Sequence, residues 1–319
     1  MPTDERTETA DPRVLVLSNS GAGSSQDQVV EQVCRELDAC APDGSEVRTP
    51  ETDEEYAAAV ASAVGRDVVV MGGDGSVHRL LQSVHDQGLL GRVGAVGVVP
   101  LGTGNDLARG AGIPLDPHEA ARVAVAGART ERGLLVDDEG SVVVNVVHAG
   151  VAAEATAHAS EVKGVLGKAA YGWGALRAGL TSKGWHLRVT VDGEGIADDD
   201  RPELLVSLAL GRSVGGGTPV APHARADDGQ VEVVVAHGVS PWARVRFALD
   251  LRKGRHTQRE DVTLVSGREV VVTADREVDA FRVNTDGEVE EQRVQRRSWR
   301  LLDQGWTLRV PEGSQGDAD

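Results

Sequence analysis

Two cysteines, four lysines and no long apolar run are what this 319-residue chain has least of, and each shortage excludes something. Cys34 and Cys40 stand six residues apart on one expected helix, nearly two turns, which is too far for a disulfide within a helix. The spacing also fits no metal-binding pattern, so two free thiols in a reducing cytoplasm are expected. No stretch approaches the roughly 18 apolar residues of a membrane span, so any membrane contact is expected to be peripheral, on the inner face. Met1 to Pro12 is polar and acidic, unlike a secretory signal or a transit peptide. That segment and Glu312 to Asp319 are expected to be disordered tails. No internal repeat or low-complexity tract is present.

Basic charge is also scarce. Lysine occurs only at 163, 168, 183 and 253, and 33 basic residues face 50 acidic ones for a net charge of −17. Non-specific nucleic-acid binding, driven by basic surface, is excluded. The same field repels anionic headgroups unless salt screens it. An acidic, lysine-poor surface suits a protein from a salt-accumulating organism.

Against these absences stand two glycine clusters. Gly72-Gly73-Asp74-Gly75-Ser76 follows the apolar run Asp67 to Met71, and Pro100-Leu101-Gly102-Thr103-Gly104-Asn105-Asp106 follows Val93 to Val99. Each run reads as a buried strand, and each cluster leads into helix-compatible sequence, Val77 to Val84 and Leu107 to Arg109. Such turns present bare N–H groups and helix N-termini to a polyphosphate. Gly72 and Gly73 free the N–H groups of Asp74, Gly75 and Ser76 for phosphate oxygens. No lysine follows in Walker fashion, so magnesium and backbone must neutralise the phosphates of ATP. Asp74 can hold that Mg2+ through water or orient the phosphate, or it can cap its own helix at Ser76. Gly102 and Thr103 form the second phosphate-facing turn, and Asn105 or Asp106 can cap the helix behind it. A phosphotransferase using ATP follows.

Around these turns, Arg13 to Ser18 reads as a strand, with helices at Gln26 to Leu37, Asp53 to Val64 and Asp116 to Ala126. This alternation predicts a doubly wound parallel α/β domain with its ligand at the carboxyl ends of the strands. After Asp137 the texture becomes β-rich. Val142 to Val147 reads as one strand, Glu154 to Leu180 as helix, and six further runs between Trp185 and Asn284 as strands separated by turn signals such as Asp228-Gly229. A C-terminal antiparallel sandwich is expected over 138–298. Asp192-Gly193-Glu194 and Asp286-Gly287-Glu288 both suit hairpin turns. Lys163, Lys168, Arg177 and Lys183, with Trp173, Leu180 and Trp185, suit either a bilayer-facing edge or an ordinary packed helix.

The two glycine blocks resemble the GGDG[ST] and PxGTGNDxAR signatures of the diacylglycerol kinase catalytic family, which includes bacterial lipid kinases and sphingosine kinases. The resemblance covers about residues 13 to 311. It implies a nucleotide-binding domain over 13–137, completed by a returning segment at about 299–311. It implies nucleotide contacts at Asn19, Ser20 and Gly21, where Ser20 replaces the family proline, and at Thr49. Asp106 would lie near the acceptor headgroup with Arg109 supporting its loop. Gly215-Gly216-Gly217 and Ala221 to Gly229 resemble another family block, implying a magnesium-water network on Asp228 with backbone carbonyls of Arg225 and Gln230. The late Asp-Gly-Glu implies Glu288 as general base, leaving Glu194 as a turn residue. His78 and Arg79 depart from the family's Asn and Glu, and Leu210 from its Asn; His78 is expected on a helix surface. The implied activity is transfer of the γ-phosphate of ATP to a lipid alcohol such as diacylglycerol at a membrane surface, in a protein of a family that commonly forms homodimers. An NAD kinase would share the fold and the first motif, and a non-catalytic binding regulator is the other alternative.

Overall fold

Valine-rich runs with no polar alternation become strands buried on both faces, as a parallel sheet between two helical layers requires. The computed structural model describes residues 14–18, 24–41, 44–150, 184–198, 200–237 and 240–313. The first half runs β1 (Val14–Ser18), α1 (Ser24–Cys40), β2 (Ser45–Arg48), α2 (Asp53–Ala61), β3 (Asp67–Gly72), α3 (Asp74–Asp86), β4 (Val96–Pro100), α4 (Asp106–Gly110) and α5 (Pro117–Ala126). The strands pair in parallel in the order β2-β1-β3-β4. Side chains alternate between faces, as pleating dictates. Leu15, Leu17, Val68, Val70, Val96 and Val98 pack with Val60, Leu80, Leu81 and Val84. Val14, Val16, Val69, Met71 and Val99 pack with Val33, Leu37, Ala121 and Ala124. Local signals set the helix starts: Thr52 accepts the N–H of Glu55, and Asp116 accepts those of His118 and Glu119, with Pro117 in the first turn.

The second half runs β5 (Ala128–Asp137), β6 (Val142–Val143), β7 (Val146–Gly150), β8 (Arg188–Val191), β9 (Glu194–Ala197), β10 (Glu203–Ala209), β11 (Ser213–Val214), β12 (Thr218–Pro219), β13 (Val231–His237), α6 (Pro241–Leu251), β14 (Val262–Gly267), β15 (Glu269–Thr273), β16 (Val283–Thr285), β17 (Glu288–Val289) and β18 (Arg296–Val310). One antiparallel sheet has the order β14-β13-β10-β7-β16-β17. It faces β8, β15 and the first part of β18 across a core that includes Val147, Val206, Leu208, Val233, Val189, Val270, Phe281 and Trp299. The expected α/β domain with an antiparallel sandwich is therefore the observed architecture.

One strand joins the two halves. β18 lies antiparallel to β5 and β15 and meets β4 in parallel through Leu308 and Val96. Its register against β5 shifts between Leu302 and Trp306, where Gln304 takes a φ of 51°. Beyond that bulge its side chains change core. Trp299 and Leu301 pack in the sandwich, while Trp306, Leu308 and Val310 pack in the α/β layer.

Several expected boundaries move. Val142 to Val147 is not one strand: β6 pairs with β5 in the first sheet, whereas β7 pairs with β10 and β16 in the second. The break has a cause, because the Asp286 carboxylate accepts the N–H groups of Val144, Asn145 and Val146 and takes them out of any ladder. β4 starts at Val96, since Val93 forms an isolated bridge with Val64, which itself lies beyond the end of α2. The helix expected at Glu154 to Leu180 lies outside the described residues. Among the described residues no helix is long and apolar enough to cross a membrane.

Candidate functional site

Both glycine turns leave the carboxyl ends of paired strands, β3 and β4, and they touch. Gly72 stands opposite Pro100, and the Leu101 N–H donates to the Gly72 carbonyl at 2.9 Å. A Cβ on Gly102 would lie 2.7 Å from the Gly73 Cα, and one on Gly73 would lie 3.1 Å from the Gly102 Cα. These glycines are thus required by close approach of backbone to backbone, besides any phosphate. Gly75 differs, because a Cβ there would meet nothing within 4 Å. Gly75 and Ser76 lie in the first turn of α3, where the Ser76 N–H, expected to be free for phosphate, donates instead to the Gly73 carbonyl at 2.9 Å.

The carboxylates tie the turns together. Asp74 does not cap its own helix at Ser76, and Asn105 and Asp106 do not cap α4 as expected. Asp74 instead caps α4 from the neighbouring turn, accepting the N–H of Asp106 at 3.0 Å and of Leu107 at 3.1 Å. Burial pushes its pKa up, the nearby charges of Asp106 and Asp286 add to this, and the two N–H donors oppose it. Asn105 sits in the left-handed region (φ 52°, ψ 43°) and donates from Nδ2 to the Gly102 carbonyl at 2.8 Å. Asp106 is buried and reaches into the second half, accepting from Ser213 Oγ at 3.0 Å and from the N–H groups of Gly216 and Gly217 at 2.8 Å each. The first turn thus holds the second, and the second holds the triple-glycine loop.

Glu288 follows a hairpin turn in which Asp286 (φ 50°) and Gly287 (φ 97°) both take positive φ, the requirement of the tightest hairpins. The side chain of Glu288 is exposed. Asp286 is not a mere turn residue. Besides its three backbone N–H donors it accepts from His78 Nδ1 at 3.0 Å. The expectation that His78 lies on a helix surface is therefore wrong, since its side chain is 11% exposed against Asp286. Burial works against charge on His78, but the hydrogen bond and charge of Asp286, with Glu288 adding, hold its pKa above the ordinary value. Arg79, the other departure in this stretch, lies 4.0 Å over the Tyr56 ring and pairs with Asp53 at 2.6 Å. Leu210 sits beside Asn145, whose side chain fills the space over Gly211 and donates to the Ser213 carbonyl.

The remaining sites are scattered. Thr49 lies at the end of β2, in a shallow pocket with Arg48, Pro50 and Glu55. Arg225, Asp228 and Gln230 share the turn before β13, where Asp228 Oδ1 accepts the Gln230 N–H at 3.0 Å and Arg225 pairs with Asp227. Among the described residues no group of three or more His, Cys, Asp or Glu could hold a metal. Glu194 follows a second positive-φ turn, Asp192 and Gly193, where Asp192 accepts the N–H groups of Arg268 and Glu269. Asn19, Ser20 and Gly21, and the basic stretch from Lys163 to Lys183, lie outside the described residues. Trp185 is buried in the sandwich core.

Comparison with known proteins follows the same division of the chain. A model described as the diacylglycerol kinase catalytic domain matches residues 13–135, and one described as the YegS C-terminal NAD kinase beta sandwich-like domain matches residues 145–298. A Mycobacterium tuberculosis protein named diacylglycerol kinase is 30% identical over 244 residues, 74% of this chain and 75% of that protein. A Chromohalobacter salexigens protein named "Probable lipid kinase YegS-like" is 31% identical over 189 residues, 57% of this chain; the match spans 58% of that relative's length. The crystal structure of a diacylglycerol kinase from Bacillus anthracis has a TM-score of 0.71 at 17% identity, over 95% of this chain and 98% of that one, a likeness of fold.

Proposed function

The chain belongs to the diacylglycerol kinase family, and from that premise we propose that it transfers the γ-phosphate of ATP to the hydroxyl of a lipid alcohol such as diacylglycerol, drawn from a membrane surface by peripheral contact. The observation that carries this reading is the chain of contacts from the paired glycine turns, through Asp74 and Asp106, to the second half. The nucleotide would lie against Gly72 to Ser76 and Thr103, where helix N-termini favour phosphate. The acceptor would enter between α4 and the loops of the sandwich. Glu288, exposed beside His78, would take the acceptor proton as the oxygen attacks the γ-phosphorus in line. The bond from that phosphorus to the bridging oxygen then breaks, and its electron pair leaves on ADP.

Magnesium suits hard oxygen donors, needs only one or two carboxylates and keeps several waters. The Asp228 turn fits it, with one carboxylate whose Oδ2 takes no hydrogen bond among the described residues and with backbone carbonyls at Arg225 and Gln230. Those three residues would hold the ion, which when bound supplies charge neutralisation for the phosphates.

The test is transfer of labelled γ-phosphate to a panel of lipid alcohols and NAD, beside Glu288→Gln. A labelled lipid, with product formation lost in the variant and ATP binding kept, is the expected result. Label in NAD alone, or ATP bound without transfer, would overturn the reading.

A further inference from the structure

In a chain with a net charge of −17, residues 241–259 carry six basic side chains, Arg244, Arg246, Arg252, Lys253, Arg255 and Arg259, against one acid, Asp250. The segment forms α6 and, after a short turn, a single 3₁₀ turn at His256–Gln258. Asp250 is spent inside the segment, pairing with Arg259 at 3.0 Å and with Arg255 at 3.7 Å. Arg259 pairs with Asp261 as well, at 2.7 Å. Arg246, Arg252 and Lys253 are exposed and, among the described residues, form no ion pair.

The two faces of α6 have different tasks. Phe247 is buried with Leu204, Leu205 and Ala236, and Leu251 packs beside it, so this face holds the helix to the sheet. Trp242, Arg246 and Leu249 stand at i, i+4 and i+7, the spacing of a single helix face, on the side away from Phe247. Trp242 is 81% exposed and Leu249 57%. Core packing does not account for an indole and a leucine there. Apolar side chains flanked by unpaired cations are what a helix presents to a bilayer interface. The ring and the leucine enter the acyl boundary while arginine and lysine meet anionic headgroups.

We propose that the outer face of α6 docks on an anionic lipid bilayer. The choice of a bilayer rests on the lipid-kinase reading above, and charge complementarity sets the sign of its headgroups. A symmetric contact between two copies of the chain would instead set these cations against their own equivalents. Position supports docking, because the turn after α6 packs on the hairpin of β11 and β12. A Cβ on Gly254 would lie 3.5 Å from the rings of Pro219 and Pro222, and buried His256 donates from Nε2 to the Val220 carbonyl at 2.7 Å. That hairpin encloses Gly215 to Gly217, the loop that Asp106 holds. A bilayer against α6 is thus one hairpin away from the acceptor end of the site. The overall charge repels an anionic surface at long range, but salt at about 0.1 M screens that field within about 10 Å, leaving contact to the basic face.

The experiment uses the full chain at about 0.1 M salt, with vesicles of phosphatidylcholine alone or mixed with phosphatidylserine, an anionic lipid with no hydroxyl to phosphorylate. Wild type is compared with Trp242→Ala and with a triple variant, Arg246→Gln, Arg252→Gln and Lys253→Gln. Val278→Ala, at an exposed apolar residue elsewhere, is the control, and each variant is checked for a native melting transition. Wild type should bind the phosphatidylserine vesicles about tenfold or more tightly than the neutral ones in cosedimentation. Trp242→Ala should weaken that binding by about tenfold and the triple variant by about a hundredfold, while Val278→Ala matches wild type. Trp185, Trp299 and Trp306 are buried, so a blue shift of tryptophan emission on adding vesicles, absent in Trp242→Phe, reports the docked ring. Turnover of diacylglycerol embedded in the vesicles should fall with binding, and turnover of a short-chain diacylglycerol dissolved as monomers should not. Equal binding by wild type and both variants, or no wild-type binding to either vesicle, would overturn the proposal. The kinase reading would then still stand if the short-chain lipid is labelled. If Trp242→Ala converts a dimer into monomers without loss of vesicle binding, the face joins two copies and the proposal fails. If no lipid is labelled, the kinase reading fails and cosedimentation alone decides the docking face: loss in both variants supports it, and equal binding overturns it.

Discussion

His78 Nδ1 donates to Asp286 Oδ2 at 3.0 Å, joining the helix behind the first glycine turn to the hairpin that carries Glu288. The same carboxylate accepts the N–H groups of Val144, Asn145 and Val146, where the chain passes from one sheet to the other. Asp286 is thus a junction of three segments. His78 has its pKa raised in the folded state, because the Asp286 hydrogen bond and charge outweigh burial. A raised folded pKa contributes stability that is complete below the unfolded value of about 6.5 and is lost as pH rises through the folded value. The melting advantage of wild type over His78→Gln is therefore expected to be full in mild acid and to shrink as pH rises above about 6.5 and through the raised folded value. An advantage that is flat with pH would mean that the pair is an uncharged hydrogen bond.

Asp106 spends both oxygens on the loop at Ser213, Gly216 and Gly217. In Asp106→Asn one oxygen becomes a donor facing donors. A loss of about 2–4 kcal/mol of stability is expected, from one buried N–H left unpaired and two charge-assisted bonds weakened. Phosphoryl transfer should fall with it. Urea titration beside the transfer assay checks both, and an unchanged midpoint would show that the loop holds itself.

Gly102 and Gly75 should respond in opposite ways. Gly102→Ala would press a methyl onto the Gly73 backbone, with an expected cost of about 1–3 kcal/mol and weaker ATP binding. Gly75→Ala meets no protein atom and replaces glycine in a helix, so stability should hold or rise by up to about 1 kcal/mol. Any loss of ATP affinity in Gly75→Ala then reports the space that a phosphate needs. Thermal melts and ATP titration of both variants separate the two roles.

Arg297 is 1% exposed, and it binds Asp137 at 3.1 Å, Glu139 at 3.0 Å and Glu290 at 2.6 Å. Asp137 is equally buried and also accepts the N–H groups of Glu139 and Ser141. Arg297→Met would leave these carboxylates facing one another without a cation. Destabilisation of about 3–5 kcal/mol is expected in denaturant melts. A smaller effect would indicate that water reaches the acids once the guanidinium is gone.

Much of the fold could be read from periodicity. Unbroken valine runs followed by glycine turns specify parallel strands, because burial on both faces leaves no room for polar alternation. The glycine turns were legible as a pair for the same local reason. Val142 to Val147 misled because an apolar run records burial and carries no information about which sheet buries it. His78 and Asp286, 208 residues apart, left no local signal. A polar residue on a helix reads as surface until the hairpin packed against it is known.

By itself the sequence determined most of the element types, the two glycine turns and the family. These depend on backbone freedom, hydrophobic period and residue spacing, all of which act over a few neighbouring residues. Tertiary structure alone decided what the carboxylates do. It gave Asp74 the cap of α4, Asp106 the triple-glycine loop and Asp286 the junction with His78. Hydrogen bonds and charges act through space, and only the packed chain places those groups within reach of one another.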